Sequence, residues 1–166
     1  LARTRAGARL TAEDALVLWH DAPLWRLAEV AVEKKRAISA DKVFYNKNFH
    51  IEPTNVCLFN CKFCSYRRPR GSAEAWDYSI EDMEQMVRSY IGKGATEMHI
   101  VGGVHPDHTI EFYCELIRRV KAILPEAAVK AYTAIELSYM IRKAGLSVRE
   151  GLQMLIDAGM EAIPGG

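Results

Sequence analysis

Apolar residues recur along this chain in two rhythms, and each change of rhythm marks a boundary between elements. Thr11-Ala-Glu-Asp14 is a capping box, in which hydroxyl and carboxylate satisfy backbone N–H groups at a helix start, and it predicts a helix to about His20. Pro23 suits the first turn of a second helix, with Leu24, Leu27, Val30 and Ala31 at helical spacing and a charged end over 33–36. Residues 43–52 then alternate and predict a strand ended by Pro53. Ser79-Ile-Glu-Asp82 is a second capping box, with Met83, Met86, Val87 and Tyr90 on one face and Gly92 or Gly94 as the stop. A strand over 97–101 closes on Gly102-Gly103, and a helix over 109–124 ends before Pro125. A third strand covers 128–133, followed by a helix over 135–144 ending at Gly145. Ser147-Val-Arg-Glu150 caps a last helix, stopped by Gly159, and residues 160–163 begin a fourth strand.

Strands alternating with helices imply βαβ units and a parallel sheet, so the fold class is α/β. Four such strands make half of a (β/α) TIM-type barrel: an N-terminal helical extension over 1–42, then a barrel over 43–166 truncated after its fourth strand. An open doubly wound sheet is the alternative, but its glycine fingerprint is missing after the first strand. The chain has 166 residues, opens on Leu1 and closes on Ile163-Pro164-Gly165-Gly166, whereas a complete barrel takes about 250, so a piece of a larger enzyme is expected. Hydrophobic residues make up 49% and charged residues 26%, which places the chain among globular proteins. The net charge of +1 gives no reason to expect nucleic acid or a membrane surface as partner. No signal peptide or spanning stretch is visible, which makes the cytoplasm the expected compartment.

Every unusual loop follows a strand, and parallel α/β folds collect their chemistry at the carboxyl ends of their strands. The strand pattern carries a second expectation. The outer face of a barrel strand packs on helices and must be apolar, which suits Phe49, Ile51, Met98, Ile100, Val129 and Ala131. Asn48, His50, Glu52, Glu97, His99, Lys130 and Tyr132 are then left to face the lumen, and a polar lumen fits a bound polar ligand. The competing reading has these groups pairing with each other or sitting at a wet strand end.

The strongest chemical signal is Cys57-Leu-Phe-Asn-Cys61-Lys-Phe63-Cys64, three thiols within one short loop. A four-iron cluster is normally held by four cysteines, so three leave one iron open to a small molecule. Zinc would want a fourth N or S ligand, for which His50 is available, and a disulfide pairing is a further alternative. The fourth cysteine, Cys114, falls inside a helical pattern and reads as a small buried apolar residue. Gly102-Gly103 lets backbone approach a ligand, or makes a plain turn. His105 and His108 are ligand contacts, acid–base groups or loop histidines, with His105, held before Pro106, the better candidate. Glu136 follows the third strand, where its carboxylate suits hydrogen bonds from a ligand or stabilisation of a helix N-terminus.

With Phe63 one residue before the last cysteine, the loop resembles the signature CxxxCx(aromatic)C of the radical S-adenosylmethionine (SAM) superfamily. The resemblance implies a [4Fe–4S] cluster on Cys57, Cys61 and Cys64, whose open iron chelates SAM and whose electron releases an adenosyl radical. It places Gly102 and Gly103 against the methionyl amino group, with Phe63, Thr133 and Glu136 also on the cofactor side. It further implies a small-molecule substrate and an electron donor such as flavodoxin or ferredoxin. The segments 48–57, 64–66, Val101-Gly-Gly-Val-His-Pro-Asp107 and Lys130-Ala-Tyr-Thr-Ala-Ile-Glu136 narrow the resemblance to the aminofutalosine synthases of menaquinone biosynthesis. Dehypoxanthine futalosine cyclases and the tyrosine-using synthases of deazaflavin F420 biosynthesis share that subgroup. The implied reaction adds the adenosyl radical to 3-[(1-carboxyvinyl)oxy]benzoate. A substrate with two carboxylates needs cationic or hydrogen-bonding partners, for which His105, Lys130 and His50 are the candidates.

Overall fold

The computed structural model describes residues 1–165 and divides into two compact units, Leu1–Tyr45 and Asn46–Gly166. The first unit is helical: a short α1 (Ala2–Arg5), α2 (Ala12–Asp21) and α3 (Leu24–Ser39). Thr11 and Asp14 form the expected reciprocal cap at the start of α2, and Arg5 makes a two-pronged ion pair with Glu33 that ties α1 to α3. The sequence pattern led us to expect two helices here, and α1 is an addition. At four residues it is too short to show a period.

The second unit runs β1 (Asn48–Ile51), α4 (Ile80–Arg88), β2 (Glu97–Ile100), α5 (Ile110–Ile123), β3 (Ala128–Ala131), α6 (Ala134–Lys143) and α7 (Val148–Ala158). The three strands are parallel in the order β1-β2-β3, in a register that sets His50 beside His99 and His99 beside Lys130. Consecutive order with every crossover helix on one face is the arrangement of a barrel segment, not of a doubly wound sheet. Phe49, Ile51, Met98, Ile100, Val129 and Ala131 are all buried, and they form one core with Met83 and Val87 of α4, Leu116, Ile117 and Val120 of α5, and Leu155 of α7. Serine caps at Ser79 and Ser147 and threonine caps at Thr109 and Thr133 start the four helices. No helix among the described residues is long and apolar enough to cross a membrane.

Three sequence expectations change. The first strand begins at Asn48, not at residue 43, because β2 opens at Glu97 and leaves nothing opposite residues 43–46. Val43, Phe44 and Tyr45 are accordingly exposed. The fourth strand reduces to a single parallel bridge between Lys130 and Ala162 among the described residues. Tyr132 does not face the lumen. Its backbone turns to φ +59°, its side chain is fully buried, and its hydroxyl donates to Tyr113 O on the helix side.

Candidate active site

The run Pro53-Thr54-Asn55-Val56 carries the chain from β1 into the cysteine loop, and its polar residues are buried because they stitch that loop to its own return limb. Thr54 Oγ1 donates to Trp76 O at 2.8 Å and accepts from Val56 N at 3.1 Å. Asn55 donates its amide to Glu74 O at 2.9 Å and accepts from Trp76 N at 2.8 Å. Arg68 N donates to Asn55 O, and Cys57 N to Arg68 O. A buried amide and hydroxyl satisfied this way hold a loop as firmly as a sheet ladder would. The return limb reaches Tyr78, whose N–H donates to Pro53 O, before α4 begins.

Against this loop lies the segment after β2, closer than any side chain would permit. A Cβ on Gly103 would stand 2.3 Å from Val56 O, and one on Gly102 would stand 2.9 Å from Thr54 O. The approach lets Gly103 N donate to Thr54 O at 2.7 Å and Leu58 N to Val104 O at 2.9 Å. It also brings Val104 N to 3.3 Å from Cys57 Sγ, where the N–H donates to the sulfur. The glycine pair thus seats the cysteine loop by backbone contact. Glu136, buried at the start of α6, reaches across with Oε1 to accept from Gly102 N at 3.1 Å. Its Oε2 accepts from Thr133 N and Oγ1, both at 2.7 Å. Of its two expected roles, this geometry makes the helix cap. Burial pushes the Glu136 carboxyl above its ordinary range, and the Thr133 and Gly102 donors pull it partly back.

Cys57, Cys61 and Cys64 are all free thiols on this one rim, with Cys61 exposed and the other two partly covered, so no disulfide competes for them. Phe63 projects into solvent at 92% exposure. Cys114 is buried in α5 among apolar neighbours, and burial pushes its thiol up. The donor set fits an iron–sulfur cluster: three sulfurs from one loop at the carboxyl ends of the strands, one of them already receiving a backbone N–H that stabilises charge on sulfur. Three such ligands would leave one iron of a four-iron cluster open.

The lumen face carries a second group of residues. The His50 and His99 rings lie 4.6 Å apart, and His99 Nε2 is buried with no partner among the described residues. Burial lowers the His99 pKa, helped by His50 and Lys130, so this imidazole is neutral near pH 7. Lys130 Nζ points toward the amino ends of the strands and pairs with Glu97 Oε1 at 3.0 Å, while Asn46 donates to Glu97 Oε2 at 3.2 Å. Of the expected lumen set, His50, His99, Lys130 and Glu97 are therefore brought together. A concavity of about 370 Å³, lined by His50, Glu52, Trp76, Tyr78, Met86 and Tyr90, opens beside β1.

His105 sits elsewhere, in the loop between β2 and α5. It is only 7% exposed, stacks on His108 at 4.3 Å and faces Asp77 of the return limb. Asp77 carried no signal in the sequence, being one acidic residue between Trp76 and Tyr78 in a stretch with no motif. Thr54 and Asn55 likewise read as loop residues, because burial of a polar side chain is a tertiary fact. Gly166, the last residue of the terminal Pro164-Gly165-Gly166 segment, lies outside the described residues.

A barrel segment with a three-cysteine loop at its carboxyl rim defines a class, and the comparisons agree with it. The profile of the radical SAM superfamily matches residues 51–166, and the chain belongs to that superfamily. It is 37% identical over 164 residues to an aminodeoxyfutalosine synthase of Streptomyces coelicolor, a match covering 99% of this chain and 42% of the relative. It is 32% identical over 169 residues to a cyclic dehypoxanthine futalosine synthase of the same organism, again covering 99% of this chain and 42% of the relative. Among solved structures, the FeFe-hydrogenase maturase HydG from Carboxydothermus hydrogenoformans aligns with a TM-score of 0.64 at 17% identity, over 99% of this chain and 46% of that one. That likeness concerns the fold alone. The chain thus spans less than half the length of the relatives it matches. The cofactors of this superfamily are a [4Fe–4S] cluster and SAM, and Cys57, Cys61 and Cys64 are the residues here with the chemistry to hold the cluster.

Proposed function

We propose that this chain is the cluster-bearing part of an aminofutalosine (aminodeoxyfutalosine) synthase, which joins the adenosyl group of SAM to 3-[(1-carboxyvinyl)oxy]benzoate in menaquinone biosynthesis. The reading is carried by one observation: the 37% identity to such a synthase extends over nearly the whole chain, against 32% to the cyclase over the same span. When bound, the cluster and SAM supply the adenosyl radical, while the protein contributes position and charge.

The lumen chemistry supports an anionic substrate. Lys130, His50 and His99 share one face of the sheet, and a neutral imidazole beside an ammonium suits a carboxylate that arrives already ionised. Lys130 serves this role with Glu97 Oε1 beside its ammonium, while Asn46 holds the other Glu97 oxygen. Gly102, Gly103, Thr133 and Glu136 shape the wall on which SAM rests, and Phe63 and Cys61 stand on the exposed side of the loop. A reducing partner such as flavodoxin or ferredoxin approaches from that side.

The test is product analysis. The anaerobically reconstituted full-length protein is incubated with SAM, a reductant and, separately, 3-[(1-carboxyvinyl)oxy]benzoate, dehypoxanthine futalosine or tyrosine with a ribitylaminouracil. Aminofutalosine from the first mixture alone is expected. Turnover of either other substrate instead would move the assignment within the subgroup, and SAM cleavage without any coupled product would remove all three.

A further inference from the structure

Asp77, His105 and His108 converge outside the lumen, on the flank of the cysteine loop. His108 Nε2 lies 3.3 Å and His105 Nε2 3.6 Å from the same carboxylate oxygen, Asp77 Oδ2. The two rings are stacked at 4.3 Å, and His108 stacks in turn on Phe112 of α5 at 4.1 Å. Two histidines and an aspartate with all donor atoms within 4.8 Å have the composition of a divalent-metal site.

The proton positions speak against a metal. Asp107 N donates to His105 Nδ1 at 3.2 Å, so that nitrogen is the bare acceptor and Nε2 carries the hydrogen. His108 Nδ1 is buried with no partner among the described residues, which leaves its hydrogen on Nε2 as well, facing the carboxylate. Metal ligation through both Nε2 atoms would force a proton onto Nδ1 of each ring, against a backbone N–H in one case and into a dry pocket in the other. Arg70, which pairs with Asp107, and Lys143, which donates to His108 O, add positive charge around the cluster. Each of these disfavours a cation.

What the trio does is join two segments. Asp77 belongs to the return limb of the cysteine loop, where it bridges to Thr54. His105 directly follows Val104, whose N–H donates to Cys57 Sγ. On its other side the histidine loop is held by Lys143 and Tyr139 of α6, both of which donate to Pro106 O. The carboxylate thus stands where the histidine loop that follows the Val104 N–H meets the return limb.

We infer that Asp77 is a positioning residue for the iron–sulfur centre, its carboxylate beside both imidazole Nε2 atoms clasping the histidine loop to the return limb so that the Val104 N–H is held on Cys57 sulfur. An N–H on a ligand sulfur stabilises the reduced, more negative cluster and raises its reduction potential. The inference rests on the cluster assignment and is independent of which substrate the enzyme takes.

The experiment compares the full-length protein with D77A and D77N, each reconstituted anaerobically without substrate, by potentiometric titration followed by electron paramagnetic resonance. Both variants lose the carboxylate charge, but only D77A loses the acceptor, since the asparagine Oδ1 still accepts an imidazole N–H. The expected result is a midpoint potential more negative in D77A than in D77N, with equal iron and sulfide content. Equal potentials in the two variants overturn the proposal. So does stoichiometric zinc in the reconstituted wild type that disappears in D77A, which would make the trio a metal site. Should D77A fail to take up iron, H108F keeps the stack while deleting one N–H. A midpoint more negative than wild type then supports the clasp, and an unchanged one overturns it.

Discussion

Substituting Gly103 by alanine tests whether the cysteine loop is seated by backbone contact. The new Cβ would stand 2.3 Å from Val56 O and 2.8 Å from Val56 C, both main-chain atoms in a loop already pinned by Thr54 and Asn55. Ordinary contact requires the two segments to part by about 1 Å. Forcing a methyl into packed surroundings costs about 1–3 kcal/mol. The same retreat stretches the bonds from Gly103 N to Thr54 O, from Leu58 N to Val104 O and from Val104 N to Cys57 Sγ, which contribute roughly 1 kcal/mol apiece when well made. A loss of about 2–5 kcal/mol follows if part of that bonding survives, a large share of the roughly 5–15 kcal/mol typical of a folded domain. Urea denaturation of the full-length protein reads the stability, and iron and sulfide analysis after reconstitution reads the seating of the loop. Gly102→Ala, whose Cβ meets Thr54 O at 2.9 Å, should lose less on both measures. A G103A protein with the wild-type midpoint and full iron content would refute the close approach on which the site description depends.

Three further expectations follow from other parts of the fold. Lys130→Met should raise the apparent Kd for a dicarboxylate substrate by about 10- to 100-fold, the worth of one charged hydrogen bond, while cluster content stays intact; calorimetric titration giving unchanged affinity would take Lys130 off the substrate. Ser147→Ala removes the side-chain half of the α7 capping box and should cost about 1 kcal/mol in thermal or urea unfolding, with Ser147→Thr close to neutral. Arg119 binds Glu84 with two nitrogens and Glu81 with a third, joining α5 to α4 and holding the Glu84 carboxyl below its ordinary value. A depressed carboxyl contributes stability above its unfolded pKa and loses it as pH falls through the folded one. The gap in stability between wild type and Arg119→Met should therefore be open at pH 7 and close as the solution is acidified below the carboxylate range; a gap that persists at pH 2 would assign it to packing of the arginine stem.

Local signals carried much of this protein. Capping boxes at Thr11, Ser79 and Ser147 marked helix starts because a cap is a contract between residues three apart, and all three are formed as reciprocal bonds. The alternation of Phe49 with His50 and Ile51, and of Met98 with His99 and Ile100, assigned the two faces of the sheet, since strand geometry leaves no other choice. The three-cysteine loop declared its chemistry for a similar reason: ligand spacing within a short loop is a property of sequence.

Tertiary structure alone decided what met across distance. Nothing near Tyr132 in the chain foretells its left-handed backbone, which turns the ring away from the lumen to a carbonyl of α5. Glu136 was legible as a carboxylate at a helix start, whereas the reach of its second oxygen to Gly102 N depended on the segment after β2. Residues 43–46 alternate well enough for a strand but found no strand partner, and a strand exists only when paired. Lys130 was legible as a lumen cation, whereas its commitment to Glu97 depended on parallel register between β2 and β3. Asp77 was invisible until the return limb brought it beside two histidines about thirty residues downstream, because partners of that separation leave no periodic trace in the chain.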